Sequence, residues 1–342
     1  MRTRPIAFST AILLAAALAG CNNKDANNPT TGGGGPAPAG TLRIAVIPKG
    51  TTHEYWKSIH AGAMKAAQDL KAKGTNIEIL WKGPLKEDDR NGQIDVVQTF
   101  QAQQVNGMVL APLDSTALVA PTEAAIAAGI PVVVIDSSLN STKPVSVVAT
   151  DNHKGGELAA QRLIQVMGGK GKALMLRYQV GSASTEQREA GFLDGLKKAP
   201  GITLVSSDQY AGATVDSAFQ SAQNVLSRFG SQVDGIFTPN ESSTLGMLRA
   251  LGGIGKAGKV KFVGFDASAD LVTALQAKQI DGLVVQNPFK MGDLGVTTLV
   301  QAIQKQKVDP NIDTGVTMVT LDNIKQPDVD ALLHPPLDQY LK

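Results

Sequence analysis

Metal or acid–base chemistry would fall first to the four histidines, His53, His60, His153 and His334. They form no His-Glu-x-x-His motif and no metal-ligand spacing. The single cysteine, Cys21, can make neither an internal disulfide nor a zinc cluster. No phosphate-binding P-loop and no Gly-x-Ser-x-Gly elbow occurs. Gly253, Gly255 and Gly258 match the spacing of a dinucleotide fingerprint, but that motif must follow a strand and open a helix. Here it follows a helical stretch and precedes an apolar run, so it is expected to be a helix end and a loop. The glycine run at 32–35 lacks both the preceding strand and the following Lys-Ser/Thr of a phosphate cradle. No catalytic constellation emerges; binding is the expected activity, with no enzyme, cofactor or metal.

The 342 residues exceed one ordinary core and suit two domains of roughly 100–200 residues. With 43% hydrophobic and 18% charged residues the chain reads as globular. Its formal charge is +2, and Arg2 and Arg4 account for it, so neither nucleic acid nor an anionic membrane surface is favoured as a partner. Residues 6–18 are apolar apart from Ser9 and Thr10. That is long enough for a signal-peptide core but short of the about 20 residues of a membrane span. The stretch ends in Leu18-Ala19-Gly20-Cys21, which resembles the lipobox of bacterial lipoproteins. The resemblance implies a signal peptide over 1–20 and lipidation of Cys21 as the first mature residue. Residues 21–40, rich in Asn, Gly and Pro, are expected to be a tether.

From Leu42 onward, short apolar runs alternate with helical spacing. Strands are expected at 42–47, 77–81, 107–111, 131–136, 145–149, 173–178, 202–207, 235–238, 260–265 and 282–286. Helices are expected at 55–72, 91–104, 115–128, 152–167, 185–198, 216–228, 242–250, 269–277 and 291–304. Strands that are apolar throughout belong in parallel sheets covered on both faces. The expected class is α/β, with two doubly wound parallel-sheet domains and ligands at the carboxyl ends of the strands. A TIM barrel is the competing topology.

Several segments then fall in a recognisable order: IAVIPKGTTHEYWKSIHAGA at 44–63, GIPVVVIDS at 129–137, TDNHKGGELAA at 150–160, STEQREAGF at 184–192, IFTPNESSTLG at 236–246, VGFDAS at 263–268, GLVVQNPFKMG at 282–292 and TMVTLDN at 317–323. Over about 41–320 the chain resembles the periplasmic sugar-binding proteins of the ribose-binding type, the ligand-capture component of ABC importers. The resemblance implies two α/β domains of the periplasmic-binding-protein-like I fold, joined by three hinge strands. The domains would be 41–149 with 287–313, and 150–286 with 314–342.

It also implies the site. Tyr55 and Trp56 match two aromatics that line the sugar, whose C–H face suits an aromatic ring; the competing reading places both on the apolar face of the first helix. Asp136 and Asp266 match aspartates that end strands, where a carboxylate can take two vicinal hydroxyls but can equally cap a turn. Arg188 matches a planar five-donor fork able to balance both aspartates, although Glu186 and Glu189 beside it would also suit a surface. Asn240 and Gln286 match family amides. Lys49 and His53 depart from the ribose pattern and are expected to line the site, either on a hydroxyl or carbonyl or beside an anionic substituent. Ser137 stands where an arginine would follow Asp136, and Ala213 stands near a second-domain aromatic, so a weaker stacking wall is expected there. The Ile47-Pro48-Lys49 start and Gly83-Pro84 resemble the branch that binds autoinducer-2 and rhamnose-like ligands.

The expected partners are a small sugar-like ligand and an ABC permease. A sensor or chemoreceptor is the alternative, including for autoinducer-2-like ligands. The membrane is met through the lipid anchor only, outside the cytoplasm, and the chain is expected to be a monomer. A repressor of this fold would need a basic helix-turn-helix module in front. Asp136 and Asp266 would suit a glycosidase acid and base, but a flanking Arg188 would hold both ionised. Capture is expected to work by population shift toward a closed clamshell.

Overall fold

The computed structural model describes residues 40–341. The expected signal peptide, Cys21 and nearly all of the expected tether lie outside the described residues.

The chain runs β1 (Leu42–Ile47), α1 (Glu54–Ala72), β2 (Ile77–Trp81), α2 (Arg90–Ala102), β3 (Gly107–Leu110), α3 (Val119–Ala127), β4 (Val132–Ile135) and β5 (Ser146–Ala149). Then come α4 (Asn152–Met167), β6 (Gly171–Arg177), α5 (Ala183–Leu196), β7 (Ile202–Tyr210), α6 (Val215–Phe229), β8 (Gly235–Phe237), α7 (Glu241–Gly253), β9 (Lys261–Phe265), α8 (Ala269–Gln276) and β10 (Gly282–Gln286). It closes with α9 (Pro288–Ile303), β11 (Asn311–Asp313), β12 (Val316–Val319), α10 (Pro327–Leu333) and α11 (Leu337–Tyr340).

Two six-stranded sheets result, ordered β11-β5-β4-β3-β1-β2 and β12-β10-β9-β8-β6-β7. A barrel is thereby ruled out. Position by position the sheets correspond, so β4 in the first lobe occupies the place of β9 in the second. All pairings are parallel except β10 with β12. The chain passes between the sheets three times, after β5, after β10 and after β11.

The apolar strands are explained by the period of two. Ile44 and Val46 face α1 and α9, where Ile59, Ala63, Met291 and Leu299 meet them. Ala45 and Ile47 face the opposite way, toward Val96, Phe100 and Ala125 of α2 and α3. In the second lobe Ala173 and Met175 face α4 and α5, while Leu174 and Leu176 face α6, α7 and α8.

Three departures from the expected elements have local causes. Residues 115–118 form turns rather than the start of a helix, because the Asp114 carboxylate accepts from the amides of Thr116 and Ala117. The three-residue β11 is largely exposed, so it carries no apolar signal. The tail forms two short helices: Val329 of α10 is buried in the second lobe's core, while α11 packs on α1 and Tyr340 meets Phe289 at 5.7 Å. The glycine triplet at 253–258 forms a helix end and loop as expected, with Gly255 and Gly258 at φ +66° and +75°.

Helices α4 and α5 approach so closely that a Cβ on Gly156 would lie 2.0 Å from the Arg188 carbonyl, and one on Gly191 would lie 1.9 Å from that of His153. Both partners are backbone and cannot swing aside. Gly156→Ala is therefore expected to destabilise the protein by about 1–3 kcal/mol, read by denaturant unfolding. An unchanged midpoint would show that the helices can separate at no cost.

Candidate ligand site between the two sheets

The carboxyl ends of both sheets face one cleft, and a small polar-lined cavity lies there. All nine residues singled out for ligand contact line it: Lys49, His53, Tyr55, Trp56, Asp136, Arg188, Asn240, Asp266 and Gln286. The two aspartates follow corresponding strands, and both have left-handed backbones, at φ +64° for Asp136 and +68° for Asp266. Aspartate tolerates that region better than most residues, and it turns each carboxylate off its strand end.

In the first lobe, Lys49 follows β1 on a loop held from below by buried Gln93. The Gln93 amide donates to the carbonyls of Pro48 (2.9 Å) and Ala111 (2.8 Å) and accepts from the Leu113 amide (2.8 Å). Lys49 Nζ reaches Asp136 Oδ2 at 2.8 Å and donates to Ser184 Oγ of the second lobe at 3.1 Å. The Tyr55 hydroxyl donates to Asp136 Oδ1 at 2.7 Å, with Gln286 Oε1 at 3.4 Å. Tyr55 and Trp56 meet edge-on at 5.1 Å. Both are buried, at 8% and 3% exposed, so the helix-face reading and the cavity reading hold together.

His53 and Trp56 share one acceptor that sequence reasoning missed. Glu87 Oε1 takes His53 Nδ1 at 2.6 Å and Trp56 Nε1 at 2.7 Å. Across the cleft, Glu87 Oε2 accepts the Tyr178 hydroxyl. Burial by itself lowers the His53 pKa, but the Glu87 charge and hydrogen bond more than reverse this and raise it to about 9. Burial pushes Glu87 the other way, yet His53, Lys49 and Tyr178 bring it down to about 2. The pair is therefore ionised throughout the neutral range.

In the second lobe, Arg188 is 2% exposed rather than at the surface. Its Nε donates to Asn152 Oδ1 at 2.8 Å, its Nη1 donates to the Pro239 carbonyl at 3.0 Å, and its guanidinium lies 4.0 Å over the Phe265 ring. Arg188 does not balance both aspartates. It stands 3.8 Å from Asp266, while Asp136 has Lys49. Nor does it hold Asp266 at a low pKa. Burial raises that carboxyl against the opposing pull of Arg188 and Gln286. Gln286 Nε2 donates to Asp266 Oδ1 at 2.6 Å. Asn240 lines the cavity and is also the N-cap of α7, its Oδ1 accepting from the Ser243 amide and hydroxyl.

The second wall is not short of an aromatic. Ala213 is buried and does not line the cavity, but Tyr178, just past β6, does. Glu241, Ser182, Ser184 and Thr185 line it as well. One signal for Glu87 was present: two buried cations in a first-lobe site need a carboxylate, and the Lys86-Glu87-Asp88-Asp89 segment supplies several. Nothing in the sequence singled out Tyr178 or Glu241. Among the described residues, no group of His, Cys, Asp and Glu has the arrangement of a metal site, and no helix is long and apolar enough to cross a membrane.

Two doubly wound domains facing each other across a polar cleft define a class, and comparison with known proteins agrees. The chain belongs to the periplasmic binding protein domain family, which matches residues 44–307. Within it, the chain is similar to the D-allose-binding periplasmic protein of Escherichia coli, at 29% identity over 288 residues, covering 82% of this chain and 90% of that one. It is also similar to the ribose import binding protein of Bacillus subtilis, at 29% identity, covering 68% and 75%. Among solved structures, an ABC transporter solute-binding protein of Agrobacterium vitis with bound D-fucose is 35% identical with a TM-score of 0.81, covering 85% of this chain and all of that one. A carbohydrate transporter solute-binding protein of Agrobacterium radiobacter in complex with D-arabinose is 33% identical with a TM-score of 0.81, covering 87% and 100%.

Proposed function

We propose that this protein is the extracytoplasmic solute-binding component of an ABC-type sugar importer, and that it captures a neutral monosaccharide or polyol in the cleft. The observation that carries this is a pair of buried polar atoms left without partners around one cavity: Arg188 Nη2 and Ser182 Oγ. Buried polar groups are nearly always paired, and a polyhydroxylated ring both donates and accepts. Trp56 and Tyr178 add aromatic surface suited to its C–H face.

The charge balance supports neutrality. Lys49, His53 and Arg188 are the cations of the lining, and Glu87, Asp136, Asp266 and Glu241 are its acids. No cation is in surplus for an anionic substituent, so Lys49 and His53 serve hydroxyls. Monosaccharides in related proteins, D-fucose and D-arabinose among them, fit that chemistry.

In this reading the 41–149 and 287–313 segments form one jaw and the 150–286 and 314–333 segments the other, with α11 resting back on the first. A ligand that touches both favours the closed arrangement. The protein works as a monomer, anchored through a lipid on Cys21 and delivering its ligand to a permease. The test is thermal unfolding of the protein against neutral pentoses, hexoses, deoxysugars and polyols, with uronic acids and sugar phosphates in parallel. A ligand at 100 times its Kd adds about 2.7 kcal/mol. A shift with a neutral compound is expected. A shift with anionic compounds alone would overturn the neutral assignment, and no shift with any sugar would overturn the function.

A further inference from the structure

Helix α1 starts without a cap of its own. His53 holds the N-cap position and makes no side-chain cap bond, because its ring is held by Glu87. The cap comes from the other lobe. Glu241, in the first turn of α7, accepts from the Glu54 amide through Oε1 at 3.3 Å and from the Tyr55 amide through Oε2 at 3.1 Å. The exchange is mutual, since Glu54 Oε2 accepts from the amide of Ala269, the first residue of α8, at 3.0 Å. The Glu241 amide itself donates to Asp266 Oδ2 at 3.1 Å. A carboxylate at a helix N-terminus is favourable in charge and in hydrogen bonding. Here it is available only while the lobes are together.

We propose that Glu241 is the latch of the closed site: a positioning residue that caps α1 across the cleft and so sets how long the lobes retain a ligand. The inference rests on the reading of the cleft as a closing ligand site. Both Glu241 carboxylate oxygens are engaged by α1, so the residue acts through closure.

The latch also makes closure sensitive to protons. Burial pushes Glu241 up to about 7, against the pull of His53 and of the Tyr55 and Glu54 amides and with the push of Asp266. The other charged groups around this junction include Glu54 on α1, Arg188 on α5, Glu87 behind His53, and Lys49 and Asp136 of the same cavity lining. Separating the lobes relieves the burial and returns the carboxyl toward its ordinary value near 4.5. A pKa raised in the closed state favours closure below the open-state value, and that advantage is lost as pH rises through about 7. Asp266, also raised by burial, acts in the same sense. Glu189, raised to about 7, has Arg177 and the Tyr178 amide within its own lobe and is indifferent to closing.

The experiment measures release of the sugar identified above, and proton uptake on binding, for the wild type, Glu241→Ala and Glu241→Gln. Amide exchange at Glu54 and Tyr55 is followed with and without the sugar. Release from the alanine variant is expected about 5–30-fold faster, with about tenfold faster exchange at the two amides. Wild-type release should quicken from about pH 6 to about pH 8, and the glutamine variant should flatten that profile and take up fewer protons. Unchanged release and exchange in the alanine variant, or full proton uptake in the glutamine variant, would overturn the latch. Should the alanine variant fail to fold, the glutamine variant decides. If the wild type binds no neutral sugar, the functional reading fails, and amide exchange still judges the capping role.

Discussion

Arg188→Leu loses ligand capture by at least about 100-fold and destabilises the protein by about 3–5 kcal/mol. The guanidinium is buried among Asn152, the Pro239 carbonyl, Asp266 and the Phe265 face. Removing it leaves two acceptors without donors and one buried carboxylate without its cation. Burial already raises Asp266, so the variant can relieve itself by taking a proton. Its defect is therefore expected to shrink as pH falls and to be largest at alkaline pH. Arg188→Lys restores a charge but not the fork, because one ammonium cannot reach Asn152, Pro239 and the cavity at once. Unfolding in urea across pH and calorimetric sugar titration read both effects. Wild-type affinity in the lysine variant would remove Arg188 from the site.

Asp136→Ala is the second large effect, again about 3–5 kcal/mol. Lys49 is 3% exposed and would lose its counter-charge, and the Tyr55 hydroxyl would lose its acceptor. The left-handed backbone at φ +64° adds about 1–2 kcal/mol for alanine. Asp136→Asn separates the two costs, since asparagine tolerates that backbone but carries no charge. Adding Lys49→Met to Asp136→Asn removes both members of the pair, and most of the stability is expected to return. Sugar binding is not expected to return, because the double variant has neither the carboxylate nor the ammonium. A double variant that binds like the wild type would place the pair outside the recognition surface.

These two residues show where sequence reasoning was strong and where it stopped. Asp136 and Asp266 were legible through the family resemblance, and their place agrees with it: each closes an apolar run, and a residue just past a parallel strand faces the carboxyl edge of its sheet. Lys49, His53, Tyr55 and Trp56 were legible in the same way, from the resemblance over the end of β1 and the first turn of α1. The partners of these groups were not. Glu87 serves His53 and Trp56 from more than thirty positions away and Tyr178 from ninety-one. Such pairing follows from how two loops meet across a cleft, and no local pattern encodes it. The expectation that one arginine would balance both aspartates failed because each lobe brings its own cation. The expectation of a thin second wall failed because Tyr178 enters from a different strand end than the one considered.

What the sequence by itself determined is the alternation of strands and helices, the two sheets they build and the side chains at their carboxyl ends. These follow from periodicity and from hydrophobic burial, which act over a few residues. Only the tertiary structure decided which charges neutralise one another, which carboxyls burial raises and which lobe caps the other's helix. Those outcomes depend on desolvation and on distances of about 3 Å between segments far apart in the chain.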